Sequence, residues 1–295
     1  MKKIMITGLL LSITHAHAVT WILKSEFTRN TTDNVNSSNS SKVKDTYSDL
    51  IFNLQAKGQE WKWRAKYKIE KYDQTTSNNS NYISTGVVNK PNKNREYTFD
   101  VYRLKYTTTP TVVTDVTSDN QGFKLGATFS KDFSNSDNGY FSLLLNSKKY
   151  TNIANRTDTI IDATFGYENN VNESFLVIPE LMLEYNNSKD TYYSNFNIGP
   201  SLLLSYNATD ALELFANASL THTIYSQRTF QQTSGPRTIN AKEHQTLVST
   251  EAGATYTFFE KLLVTAKYST NRNSSNNSSS AYQSNVFSFN FGLKI

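Results

Sequence analysis

The chain contains no cysteine, which removes disulfide frameworks, thiolate metal sites and a lipid-attachment cysteine together. Beyond the first 18 residues no apolar run exceeds a few positions, so helical membrane spans are excluded. Histidine is scarce, and only His222 and His244 lie outside the opening segment. There is no glycine-rich phosphate loop, no metal-ligand cluster and no nucleophile elbow, so neither a cofactor, a metal nor a catalytic residue is expected. Charge of one sign is also lacking. Without Lys2 and Lys3, the 30 basic residues become 28 against 25 acidic ones, and the net charge falls from +5 to +3. So small and scattered an excess argues against nucleic acid as a partner. What the chain does have is aromatic residues, 18 Tyr and 17 Phe, in a sequence of mean hydropathy −0.54. A polar average with abundant aromatics fits a β-barrel whose strands are half apolar, and equally a soluble β-sandwich.

The opening, MKKIMITGLLLSITHAHA, has a basic start at Lys2 and Lys3, an apolar stretch from Ile4 to Ile13 and an Ala16-His17-Ala18 cleavage pattern. Residues 1–18 therefore read as a secretory signal peptide, and 19–295 as a single domain. From there the chain alternates with period two, which places successive side chains on opposite faces of a strand. The clearest example is WKWRAKYKIEKYD (61–73), with Trp61, Trp63, Ala65, Tyr67 and Ile69 on one side and Lys62, Arg64, Lys66, Lys68 and Glu70 on the other. Similar strands are expected at 19–30, 45–56, 95–106, 121–131, 139–150, 157–168, 174–186, 191–206, 211–226, 244–257 and 260–270, with a weak β-branched one at 111–117. The faces of 95–106 are ambiguous, because both carry apolar residues. Polar stretches at 31–44, 74–94, 227–243 and 271–283 read as long loops, and 57–60, 107–110, 207–210 and 258–260 as short turns.

The last ten residues, VFSFNFGLKI, set Phe287, Phe289, Phe291, Leu293 and Ile295 against Ser288, Asn290, Gly292 and Lys294. This segment resembles the C-terminal strand of Gram-negative outer-membrane β-barrel proteins, with Ile295 in place of the aromatic ending. The resemblance implies an all-β, transmembrane, up-and-down antiparallel barrel in the cell outer membrane, surrounded by outer-membrane lipid and inserted by the barrel assembly machinery. The count gives about 14 strands, 12 being possible if two weak segments are loop. An even number brings both termini to the periplasmic side, where the short turns also fall. Trp21, Trp61 and Trp63 then form an aromatic girdle at that end, with Tyr47, Tyr72, Tyr97, Tyr185, Tyr225 and Tyr268 expected near the other.

With aromatic faces outward, Lys62, Arg64, Lys66 and Lys68 form a basic ladder inside the barrel. Asp158, Asp162, Glu180, Glu184 and Glu213 point inward from strands across the ring, and opposed rows of charge set up a transverse field. The reading is a porin-like channel for passive diffusion of small polar or charged solutes, not an enzyme. A non-conducting barrel with structural or binding loops is the alternative, and a barrel hydrolase using His222 and His244 is a weaker third. Neither histidine matches the His-to-Ser spacing of the outer-membrane phospholipases, and the paired aspartates of the omptin proteases are lacking.

Overall fold

The alternation resolves into fourteen antiparallel strands in the computed structural model, which describes residues 19–35, 42–107, 118–153, 156–234 and 237–294. The first six are β1 (Thr20–Thr32), β2 (Asp45–Lys57), β3 (Trp61–Tyr72), β4 (Ser80–Asn92), β5 (Arg95–Tyr106) and β6 (Asn120–Asp132). Four more follow as β7 (Asp137–Tyr150), β8 (Thr157–Asn172), β9 (Phe175–Ser188) and β10 (Asn195–Asn207). The last are β11 (Leu212–Ser234), β12 (Arg237–Phe258), β13 (Leu262–Ser275) and β14 (Tyr282–Lys294). Each strand pairs with its sequence neighbours and β14 pairs with β1, so the sheet is a closed up-and-down barrel. A strand of 13 residues, such as β1, at roughly 3.3 Å per residue and a tilt near 45° crosses about 30 Å, the depth of a bilayer's hydrocarbon core.

Closure matches Phe27 to Phe291 and Thr31 to Phe287 along the β1–β14 seam. At its far end the Asn285 backbone and side-chain N–H groups donate to Asp33 at 2.7 and 2.6 Å. Partial burial pushes the Asp33 carboxyl up, but those two donors and Lys42 outweigh it and leave its pKa below the ordinary carboxylate value.

The outer face is a belt of large apolar side chains that no protein covers. Phe27, Phe52, Tyr67, Phe99, Leu125, Leu143, Phe165, Leu181, Leu202, Leu214, Val248, Tyr268, Phe287 and Phe291 are all exposed. Water gives such a surface no stable arrangement, and hydrocarbon does. The tryptophans lie together at the short-turn end of this belt, Trp21 and Trp63 in edge contact with ring centroids 6.4 Å apart. The expected opposite ring does not form as a unit: Tyr185 and Tyr268 point outward, and Tyr97 does so near the short-turn end. Tyr47, Tyr72 and Tyr225 instead share register rows with inward polar residues.

The strand total is the expected fourteen, but its composition differs. Residues 74–94 are not a loop, because they contain β4, whose Ile83, Thr85 and Val87 alternate outward against Tyr82, Ser84 and Gly86. Asparagine, serine, Gly86 and Pro91 mask that pattern. The weak segment 111–117 lies outside the described residues, as do the signal-like residues 1–18 and Ile295. Of the expected short turn 107–110 only Thr107 lies within the described residues, and with β4 inserted it leaves β5 at the long-loop end. Nor is 227–243 simply a loop: β11 and β12 run 23 and 22 residues, and their hairpin overreaches the other strands beyond a register shift between Ile224 and Thr229.

The β12–β13 connection is the one strained turn among the described residues. Phe259 and Glu260 occupy its two central positions at φ 49° and 59°, and the Lys261 N–H closes it on the Phe258 carbonyl at 3.1 Å. This is the left-handed conformation that Asn and Gly adopt at least cost. Replacing Phe259 by Asn and Glu260 by Gly should stabilise the barrel by about 1 kcal/mol or more. Urea unfolding of the refolded protein measures it, and a loss of stability would show that the turn is held by contacts of Phe259 or Glu260.

Candidate functional site

The inward faces follow from register. Rows pairing Gln55 with Arg64, Gly86 and then Asp100 put Lys62, Arg64, Lys66 and Lys68 on the concave side of β3. Asp158 and Asp162 project inward from β8, Glu180 and Glu184 from β9, and Glu213 from β11. In a ring of fourteen, β10 lies opposite β3, so the predicted bases and acids occupy facing sectors of the wall. Side chains in both sectors keep part of their exposure: those of Arg64 and Lys68 retain 39% and 27%, and Asp162, Glu180, Glu184 and Glu213 are half-buried. Eight strands leave an interior that side chains just fill, and fourteen enclose more.

The charges are not bare. Lys68 Nζ meets Asp49 at 3.1 Å and Glu70 at 2.6 Å. Arg64 reaches past β4 to Asp100 on β5, its Nε donating to Oδ1 at 2.9 Å and its Nη2 to Oδ2. Two strands are roughly 10 Å apart, and the bridge forms only because the residue between is glycine. A Cβ on Gly86 would stand 2.0 Å from Asp100 Oδ1. The same device recurs across the lumen. Tyr140 on β7 passes over Gly166 on β8 to donate to Glu180 on β9, and a Cβ at Gly166 would fall 2.1 Å from Tyr140 Cζ. In both places the long side chain lies along the wall and spans the strand between.

The remaining acids divide into two kinds. Glu180 also accepts from Ser201 at 2.9 Å, Glu184 from Asn197 at 2.5 Å and Glu213 from Ser205 at 2.7 Å, all neutral donors. Asp162 and Glu184 face each other directly across β8 and β9, with Lys124 the nearest opposing charge. Asp158 is different, because it is fully buried, accepting from Arg156 at 3.0 and 3.3 Å and from Ser188 at 2.6 Å. Arg156 in turn lies over the rings of Tyr193 and Tyr150 at 3.5 and 4.1 Å. Asp158 therefore fastens the long-loop end and presents no free charge to the lumen.

Sequence reasoning missed Asp49, Asp100 and Lys124 as members of this lining, although it set Glu70 on the ladder's side of β3. The parity of their strands could have found Asp49 and Lys124, whereas Asp100 was hidden by the two apolar faces of β5. Its inward apolar residues are explained by Tyr102, which stacks on Tyr82 with centroids 6.0 Å apart and donates to Asn146 at 2.9 Å. His222 and His244 sit on the outer face, rings 5.9 Å apart, with His222 Nδ1 2.9 Å from Thr246 Oγ1. Among the described residues no cluster of three or more His, Cys, Asp or Glu could hold a metal.

This architecture has counterparts among solved structures. The chain is similar to a bacterial polysaccharide outer membrane secretin, with a TM-score of 0.50 and 11% identity over 92% of this chain and 98% of that one. OccAB3 of Acinetobacter baumannii gives a TM-score of 0.49 at 9% identity over 94% and 99% of the two chains. The loop-deleted outer membrane protein OmpTdeltaL8 of Vibrio cholerae gives 0.48 at 10% identity over 94% and 100%. At such identities the likeness concerns fold alone. No family model matches the sequence, and no curated protein is similar to it. The class is nevertheless defined at the level of fold: a closed up-and-down β-barrel of fourteen antiparallel strands with an apolar outer belt.

The Arg64–Asp100 bridge gives a direct test of the wall. Arg64→Ala strands the largely covered carboxylate of Asp100 and should cost about 1–3 kcal/mol in urea unfolding. Lys66 makes no ion pair among the described residues, and Lys66→Ala should stay within about 0.5 kcal/mol. Equal effects would mean that the bridge adds no stability.

Proposed function

We propose that the chain is an outer-membrane channel through which small polar and charged solutes diffuse passively, delivered by the signal-like residues 1–18 and inserted with its C-terminal strand as the assembly signal. The observation that carries the reading is the sorting of charge across a lumen whose side chains keep part of their exposure. Lys62 and Lys66 have no ion-pair partner among the described residues on one wall, while Glu180, Glu184 and Glu213 accept from neutral donors opposite. A solute entering between them meets a field directed across the barrel, which turns its dipole and supports anions along one side and cations along the other. No covalent step is involved, and the outward placement of both histidines leaves no reason to assign a hydrolase. The polysaccharide named for the similar secretin is one candidate class of solute, since its hydroxyl groups suit a polar lining.

Planar-bilayer recording of the refolded protein should give discrete single-channel steps, and their absence would favour the non-conducting alternative. Lys62→Glu with Lys66→Glu should shift the permeability ratio toward cations by roughly twofold or more, and Glu180→Gln with Glu184→Gln should shift it toward anions. Unchanged ratios in both variants would remove these residues from the path.

Phe287, Phe289, Phe291 and Leu293 form the exposed outer face of β14, which pairs with both β1 and β13. Truncation after Ser288 should abolish insertion, seen as loss of the compact, heat-modifiable band from the outer-membrane fraction. Normal insertion would overturn the assembly role.

A further inference from the structure

Two imidazoles interrupt the apolar belt near the root of the β11–β12 hairpin. His222 on β11 pairs with Thr246 on β12, and Ile224 with His244, so the histidines hold diagonal positions on adjacent strands. They share the outer face, on which Leu220, Ile224 and Val248 are exposed. His244 is exposed and His222 half-buried. Their ring centroids lie 5.9 Å apart, with the planes at 44°. His222 Nδ1 is 2.9 Å from Thr246 Oγ1, and among the described residues neither ring has a further hydrogen-bond or ion-pair partner. Nothing in the fold or in the channel reading uses this pair.

An imidazole nitrogen binds a transition metal at about 2.0–2.1 Å, which puts the ion roughly 3 Å from the ring centre, so rings whose centres are up to about 6 Å apart can share one ion. The observed separation of 5.9 Å meets that condition. With Nδ1–H donating to Thr246 Oγ1, Nε2 of His222 keeps its lone pair, and the hydroxyl fixes the ring as outer partners do for ligating histidines. The outward neighbours Leu220, Ile224, Thr246 and Val248 supply no carboxylate, so a hard cation such as Ca2+ finds no ligand set here. Imidazole suits zinc, copper and nickel, and Cu2+ binds most tightly of the divalent series. Lys242, two positions beyond His244, is exposed and can turn its ammonium into water.

The two rows are the last regular ones before the β11–β12 ladder is interrupted. Pairing passes from Ile224–His244 to Thr229–Lys242, so residues 225–228 of β11 stand against Glu243 alone on β12. We infer that His222 and His244 bind a divalent late transition metal ion, Cu2+ foremost, on the barrel exterior, where it ties β11 to β12 at the root of the projecting hairpin. Two protein ligands leave the remaining coordination positions to water, so the ion exchanges with solution and acts as a clip added to a finished fold. The imidazoles face away from the lumen, and the site does not depend on whether the barrel conducts.

The test uses residues 19–295 without an affinity tag, refolded in detergent and titrated with CuCl2, with CaCl2 as the control. A single Cu2+ should bind per barrel, and pulsed electron paramagnetic resonance should show coupling to two imidazoles. His222→Gln and His244→Gln should each weaken binding by roughly tenfold or more and reduce the spectrum to one imidazole. Thr246→Val should weaken it by about tenfold through the loss of ring positioning, and Thr246→Ser should restore it. Amide hydrogen exchange across 225–243 should slow on adding Cu2+ to the wild type and stay unchanged in His244→Gln. Equal binding by the wild type and the His222→Gln/His244→Gln double variant overturns the site. So does a wild-type spectrum without two imidazoles, which decides the matter even where a variant fails to refold. Unchanged exchange at full Cu2+ occupancy overturns the clip.

Discussion

In hydrocarbon a backbone amide without a partner costs several kcal/mol, so a sheet placed there must have no edge. The β1–β14 seam meets that requirement by joining strands from the two ends of the chain. Every other property of the molecule follows from it. A closed ring has only two faces, so the period-two alternation of each strand becomes a division between outside and inside. The outer face takes the aromatic and aliphatic residues, and the inner face is left to the charged ones. Sequence and solvent are matched strand by strand, and the ring fails if the last strand does not close it.

Inside, electrostatics is governed by how completely each charge is answered. Lys68 has two carboxylates and Arg64 has one, so half of the basic ladder is balanced within the wall. On the acidic side the donors to Glu180, Glu184 and Glu213 are hydroxyl or amide groups, which carry no charge of their own. The asymmetry between the walls therefore depends on the kind of partner as much as on the number of charged residues. Asp158 illustrates the opposite use, since burial against Arg156 turns a charged group into a fastening for the rim.

Most of the architecture was legible from sequence because a barrel strand is nearly a local object, whose face and partners follow from alternation and order. The Trp21, Trp61 and Trp63 cluster, the ladder on β3 and the orientation of β14 could be read this way. What escaped depended on neighbours. The β4 strand hides behind Asn, Ser, Gly86 and Pro91, because its inward face is occupied by side chains reaching over from β3 and β5 and needs little bulk of its own. Tyr47, Tyr72 and Tyr225 look like interfacial aromatics in isolation and turn out to be inward, a matter of parity against their partners. The β11–β12 hairpin continues as paired strand through a sequence with no apolar alternation. Arg228 holds it there, pairing with buried Glu243 at 3.2 Å and lying over Tyr192 and Tyr225.

Gly86 and Gly166 have a mechanical consequence. A thin cylindrical wall flattens most easily by hinging along its length, one strand turning about the next. A brace from β3 to β5, and another from β7 to β9, spans the intermediate strand and resists that hinge from the concave side. The two missing side chains act as notches into which the braces are laid. They stiffen the cylinder against becoming oval at a cost of almost no bore. A wall of this kind can stay round with few side chains spent on filling it.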